Sequence, residues 1–562
     1  MKPATPRTLW WLIAAPALVL LMVPLFVVEL PPLLDYPNHL ARQWFLAHGS
    51  HDPSLTKFYA PHWAIIPNMA VDLLMIGLQR FLPLYVAGKL VIALTIIAQF
   101  MGIAVYGRAL FGRWSLWSIA GGFVSYSAIL LLGFINFLMS LGLALLAAAA
   151  WLTWREKRPI ATTIGLAIAA IGIFFVHLLG VAFLGFLIGC RELDRIIGAY
   201  SAHRDWRKES CFRALSLLAV FAPSALLYLA LVPHQQVTSI LYYGPGVVIA
   251  GVPIGFSSYS RILDSVTVSS VLIVLILCVR IDRTAFTRTS VLQLCLFIIL
   301  YLVCPFRLYD EGWLNFRAIY VASLILFAGV APVLPRRAGI AIMGIGAALF
   351  CARIYLVADV WHAFNSELAA FRQVIAPVSP GSKVVVVRFP PKDNVAYWMA
   401  TPRARRIVSV VPSNTHLAAL LMIERHAFWP LLFSVPSQHT VRVLPNYLPL
   451  SVPSGEPSSY EALTRPTPTD LAKSPYLRDW QKNFDYVLIM NAGGLADPRD
   501  VAQGKLDLVT YADIAALYRV RPPNGRQPLD ATTSTRSSGP PSVAPPTAVT
   551  SIRLDETPRA MR

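Results

Sequence analysis

The chain has 562 residues, 56% of them hydrophobic and only 14% charged, with a mean hydropathy of +0.58. That is far more apolar surface than a soluble core can bury, so a soluble fold is excluded and a mainly α, polytopic membrane protein is indicated. The formal net charge of +19 does not point to nucleic acid as a partner, because the basic residues lie mostly in short loops between apolar segments, where the positive-inside rule accounts for them.

The first apolar segment, residues 9–28, is bordered by Lys2 and Arg7 and followed by Pro31-Pro32 instead of a small-residue cleavage site, so it reads as a retained first span. Directly after it comes Leu33-Leu34-Asp35-Tyr36-Pro37-Asn38-His39-Leu40-Ala41-Arg42. If Pro37 opens a helix, the spacing of Asp35, His39 and Arg42 puts a carboxylate, an imidazole and a guanidinium near one face at the membrane surface. The plain alternative is that Asp35 only caps that helix.

The basic loops set the topology. Arg108 with Arg113, Arg155 with Lys157 and Arg158, the run from Arg191 to Arg213, Arg280 with Arg283 and Arg288, and Arg336 with Arg337 all belong in the cytoplasm together with the N-terminus. This arrangement requires that residues 63–82 do not span, so residues 30–83 are expected to form one long external loop with two helices on or in the membrane surface. Asn68, Asp72 and Gln79 recur along one of them. The remaining spans are expected at 84–106, 115–132, 135–153, 159–176, 178–190, 214–232, 265–280, 289–304, 317–334 and 338–356, about eleven with the first. The split at His177 is required because both flanking loops are basic. Residues 233–264 and 305–316 are then external. The six cysteines show no close pairing and indicate neither a disulfide framework nor a zinc site.

Composition changes after residue 357. A helix over 361–375, a strand over 383–389, a helix over 416–427 and a buried strand over 484–490 describe a C-terminal extracytoplasmic α/β domain, 357–522, attached to a transmembrane domain, 1–356. The Pro-, Ser- and Thr-rich tail, 523–562, lacks the apolar residues to fold. Asn491-Ala492-Gly493-Gly494 matches neither a P-loop nor a dinucleotide fingerprint and reads as a turn.

Chemistry therefore belongs at the external face, where Asp35, His39, Arg42, His62, Asp72, His177, Arg307, Asp310, Glu311 and Arg317 are expected to gather. The layout of a first span, an external loop with an early acid, Gly88-Lys89, Tyr106-Gly107-Arg108-Ala109-Leu110-Phe111-Gly112-Arg113-Trp114, a pair of short helices around a histidine and a C-terminal external domain resembles the C superfamily (GT-C fold) of integral-membrane glycosyltransferases. The similarity is to the group of protein O-mannosyltransferases and aminoarabinose transferases. It implies a polyprenyl-phosphate sugar donor, an envelope acceptor (lipid, glycan or protein) and a general-base role for Asp35. The family's usual Asp-Glu pair is replaced here by Asp35-Tyr36.

Physical reasoning fits the same picture. A lipid-linked donor keeps its chain in the bilayer and its phosphate at the interface, so Arg307 and Arg317 suit its oxygens. His39, Arg42, Asp72 and His177 are supporting or acceptor-side candidates. The bland readings are that both arginines merely border spans and that Asp72, costing about 2.5–3.5 kcal/mol at the membrane centre, simply faces protein. No motif calls for a cofactor, and a divalent metal on Asp310 and Glu311 is an open alternative to their pairing with the arginines. The expected function is transfer of a sugar on the outer face of the bacterial cytoplasmic (inner) membrane. The alternative is a non-catalytic membrane protein, either a transporter or an assembly factor for envelope glycans.

Overall fold

Long uninterrupted runs of Leu, Ile, Val and Ala leave most of this chain no option but helix, since helices satisfy their own backbone in an apolar medium. The computed structural model describes residues 6–201, 206–232, 240–281, 285–308, 312–389, 395–407, 411–501 and 504–521. The chain divides into two units, Met1–Arg521 and Pro522–Arg562. The second, with the tail expected to be unfolded, lies outside the described residues.

The protein is mostly helical. Among the described residues seven helices are long and apolar enough to cross a membrane: Arg7–Val27, Leu84–Phe111, Ile135–Trp154, Pro159–Val176, Arg207–Leu231, Arg261–Ile281 and Arg336–Ile375. Shorter apolar helices include Met69–Leu78, Leu116–Leu131, Arg288–Val303 and Leu314–Ala328. The segment 63–82 holds only the ten-residue helix Met69–Leu78, about 15 Å at 1.5 Å per residue and too short to span. His177 is extended between the helices Pro159–Val176 and Leu178–Ser201, at the expected split.

Two expected spans look different. Residues 115–132 are broken into the 3₁₀ stretch Leu116–Val124 and the short helix Ala128–Leu131, with Gly121-Gly122 and four serines weakening the run. Residues 338–356 and 361–375, expected as separate helices, are one 40-residue helix, Arg336–Ile375. No glycine or proline lies between Cys351 and Trp361 to stop it.

The helices pack closely where side chains vanish. A Cβ on Gly142 would lie 2.5 Å from the Ala98 carbonyl carbon and 2.7 Å from the Gln99 nitrogen, and one on Gly102 would lie 2.8 Å from the Gly142 carbonyl oxygen. The helices Leu84–Phe111 and Ile135–Trp154 therefore touch backbone to backbone.

After the long helix comes a five-stranded sheet. The fully buried strand Val384–Arg388 pairs parallel with Tyr486–Met490 and with Ser458–Ser459. The hairpin Leu506–Ala512 and Ala515–Val520 adds on antiparallel to Tyr486–Met490. The sequence signalled the first two strands. The expected helix 416–427 is shorter, a 3₁₀ turn Leu417–Ala419 running into Leu420–Arg425, and it ends where His426 turns left-handed. Asn491, also left-handed, closes the Gly493-Gly494 turn against Asp513 and Phe389.

This late segment is sewn to the loop 30–83. The strand Tyr59–Pro61 pairs antiparallel with Val441–Val443. The Tyr59 hydroxyl donates to the Trp429 carbonyl at 2.7 Å and accepts its amide at 2.9 Å. Asn38 donates to the Leu431 carbonyl and accepts the Phe433 amide.

Replacing Gly142 with Val is expected to destabilise the protein by about 1–3 kcal/mol through overpacking, read as a lowered Tm in detergent. Gly165→Val, where a Cβ meets nothing within 4 Å, should leave Tm unchanged.

Candidate functional site

The helix Tyr36–Ala47 begins as its proline dictates. Asp35 is the residue before it and Pro37 lies in its first turn, but the Asp35 side chain makes no capping bond. Its carboxylate is instead 3.2 Å from Nδ1 of His416. The other ring nitrogen of His416, Nε2, donates to the Gly455 carbonyl at 3.0 Å. With Nε2–H committed to a carbonyl, Nδ1 is the nitrogen that faces the Asp35 carboxylate, close to it but not aligned for a hydrogen bond. The ring is held edge-on against Phe433, with centroids 4.9 Å apart.

Around this pair opens a cavity of about 510 Å³. Asp35, His39, His177, Arg307 and Arg317 all line it, together with Arg388, His416, His439 and Glu456. Arg307 comes from a two-residue strand, Arg307–Leu308, paired with Ile240–Leu241, and it bonds Glu456 at 3.2 Å. Arg317, in the first turn of Leu314–Ala328, stacks over Phe134 at 4.4 Å. Arg388 ends the buried strand Val384–Arg388 and is 5% exposed. Burial pushes its guanidinium down to about 10, against the pull of Glu456. Three guanidiniums sharing one chamber suit phosphate oxygens.

The walls are aromatic. Tyr243 and Phe306 lie 4.4 Å apart, and Phe306 and Trp313 5.2 Å. Phe433 packs against His39, His416 and His439 at once. Two wall residues, Asn68 and Trp313, carry positive φ values of 70° and 63°. Left-handed backbone at a tryptophan costs energy and is retained where surrounding structure demands it.

Arg42 and Asp72 do not line the cavity. They form a buried bidentate pair behind it, Arg42 Nε to Asp72 Oδ2 and Nη2 to Oδ1, both 2.9 Å. Gln43 and the Thr440 hydroxyl also donate to the same carboxylate. The pair fixes the helix one turn beyond His39, whose first turn carries Asp35 and His39 to the cavity. His62 is not a wall residue either, although its amide donates to the Thr440 carbonyl. Asp310 and Glu311 lie outside the described residues. Among the described residues no group of three or more His, Cys, Asp or Glu side chains is placed to hold a metal ion.

Sequence reasoning missed Arg388, His439 and Glu456 and gave His416 no role. Arg388 carried one usable signal, a charge at the carboxyl end of a buried strand. The other three sit in irregular segments with no periodicity.

No family model matches the sequence, and no curated protein matches it. Among solved structures the chain is similar to ArnT from Cupriavidus metallidurans, crystallised with undecaprenyl phosphate. The superposition has a TM-score of 0.46 at 12% identity and covers 91% of this chain and 98% of that one.

Two outcomes follow from these charges. Asp72→Leu strands the Arg42 cation in the interior and is expected to cost about 3–5 kcal/mol, whereas Asp35→Asn should shift stability by less than about 1 kcal/mol; thermal unfolding compares them. Burial, reinforced by the Arg42 cation and a neighbouring histidine, holds His39 and His439 well below their ordinary value of 6.5. Below that value the unfolded chain takes up protons that the native state refuses, so stability is full above pH 6.5 and falls as the pH drops below it. His439→Gln should reduce that slope between about pH 6.5 and 5.

Proposed function

We propose that the protein is a glycosyltransferase of the polyprenyl-phosphate-dependent kind, acting on an envelope acceptor at the outer face of the bacterial cytoplasmic membrane. The observation that carries this reading is the convergence of the Asp35 carboxylate and three arginines, Arg307, Arg317 and Arg388, on a single aromatic-walled cavity. In this reading the N-terminus is cytoplasmic. The seven long helices, together with Leu116–Leu131, Leu178–Ser201, Arg288–Val303 and Leu314–Ala328, make up about eleven spans. The sheet after residue 376 is extracytoplasmic.

The arginines bind the donor's phosphate, and the aromatic faces of Tyr243, Phe306 and Trp313 take the sugar and the start of the lipid chain. Asp35 accepts the proton of the acceptor hydroxyl as that oxygen attacks the anomeric carbon. The bond from the anomeric carbon to the phosphate oxygen breaks, and polyprenyl phosphate leaves with the electron pair, its new charge met by the guanidiniums. His416 Nδ1, beside Asp35, takes the proton onward. A single displacement of this kind inverts the anomeric configuration. His39 and His177 line the acceptor side, and Arg42 with Asp72 holds the helix that carries the base.

Asp35→Asn at matched abundance is expected to abolish loss of sugar from the polyprenyl-phosphate pool and its appearance on envelope glycolipid or glycoprotein, both followed by mass spectrometry. An unchanged glycan profile in both Asp35→Asn and deletion cells would sink the reading. Arg388→Gln is expected to weaken donor use by about 10-fold or more, and His416→Gln to slow sugar transfer while leaving Tm near wild type.

A further inference from the structure

A second cleft, of about 50 Å³, lies beside the cavity and is lined by Ser257, Ser258, Tyr259, Arg261, Asp264, Arg403 and Arg406. Its neighbour is close: Arg406 pairs across a two-stranded hairpin with Pro412, a wall residue of the large cavity. The cleft's one carboxylate is already engaged. Asp264 accepts the Ser258 hydroxyl and the Ser258 amide, both at 2.7 Å, and pairs with the buried Arg353, which reaches it from the long helix. That carboxylate therefore balances a charge outside the cleft.

Arg403 and Arg406 meet no carboxylate within ion-pair distance among the described residues. The Arg406 Nε is buried without a hydrogen-bond partner. Burial, and then the nearby Arg403 and Arg261 cations, lower the affinity of Arg406 for its own proton. Like charges crowded at one point are destabilising unless an anion joins them. At about 50 Å³ the cleft is a tenth the size of the large cavity, a scale that suits a small anion.

Its position names the source. Arg261 opens the candidate span Arg261–Ile281, and the next turn exposes Ile262 and Val266 as apolar residues do at a lipid boundary. We infer that this cleft holds the phosphate of an anionic bilayer lipid, gripped by Arg403 and Arg406 from the sheet side and by Arg261 with the Ser257-Ser258 turn from the membrane side. Such a lipid fastens the hairpin that walls the large cavity to the membrane surface. The site is distinct from the donor cavity, and its test is independent of catalysis.

The experiment counts bound short-chain phosphatidic acid on the full-length protein in detergent by native mass spectrometry, with inorganic phosphate as a separate competitor arm. Arg403→Gln/Arg406→Gln is expected to lose one saturable lipid, its apparent affinity falling about 10-fold or more. Arg307→Gln/Arg388→Gln, which alters only the large cavity, should keep that lipid. An unchanged count and affinity in the first double variant overturns the proposal. Inorganic phosphate displacing the lipid at equal concentration overturns the lipid as source in favour of a soluble anion. Should the double variant fail to fold, the exposed Arg403→Gln alone carries the test, with several-fold weaker binding expected and wild-type binding overturning the site.

Discussion

The structure turns on an ion pair that neither partner can leave. Arg42 is fully buried and Asp72 is 1% exposed, so each charge is tolerable only while the other is in place. The carboxylate also takes bonds from Gln43 and from the Thr440 hydroxyl. One buried group thus ties together the helix after the first span, the short helix Met69–Leu78 and a segment some 370 residues away. This fixes rotation as well as position. With Arg42 locked in place, His39 three residues and Asp35 seven residues before it are held near the same face of the chain, at the helix start where the cavity opens.

The cavity inherits its electrostatics from that arrangement. Its arginines come from three unrelated elements: a two-residue strand, the first turn of a helix and the end of a buried strand. Glu456 touches Arg307 and offsets part of the charge, leaving a surplus of positive charge facing the Asp35–His416 pair. A carboxylate beside an imidazole, opposite several fixed cations and between aromatic walls, is a preset electrostatic environment favourable to a bound anion. The left-handed Asn68 and Trp313 in the wall show that the chain accepts local strain to keep that shape.

Much of this was legible before any coordinates. Asp35, His39, His177, Arg307 and Arg317 could be singled out because each interrupts or borders an apolar run, and ionisable groups at such places are costly enough to demand a reason. The strands Val384–Arg388 and Tyr486–Met490 were legible from their unbroken apolar residues. The pairing of Arg42 with Asp72 was not, because 29 residues of loop separate them and nothing local encodes the contact. His416 and His439 were equally silent, since turns in an α/β segment have no period to break. The hairpin Leu506–Val520 alternates too weakly to stand out, being half-exposed on one strand. Local chemistry thus announced the residues on the membrane side, while the opposing wall is a product of tertiary folding alone.

The unbroken helix Arg336–Ile375 has a mechanical implication. Forty residues make a rod of about 60 Å, twice the roughly 30 Å of a hydrocarbon core. Its first half exposes Ile340, Met343 and Ile345, and its second half buries one face, from Phe350 through Trp361 and Phe371, and grips Glu29 and Glu424 through Arg372. A rod with no joint couples its membrane-side half rigidly to the segment packed against the sheet that holds Arg388. The sheet and the span at the other end of this helix are therefore joined by one continuous backbone ladder, with no loop to let them move apart.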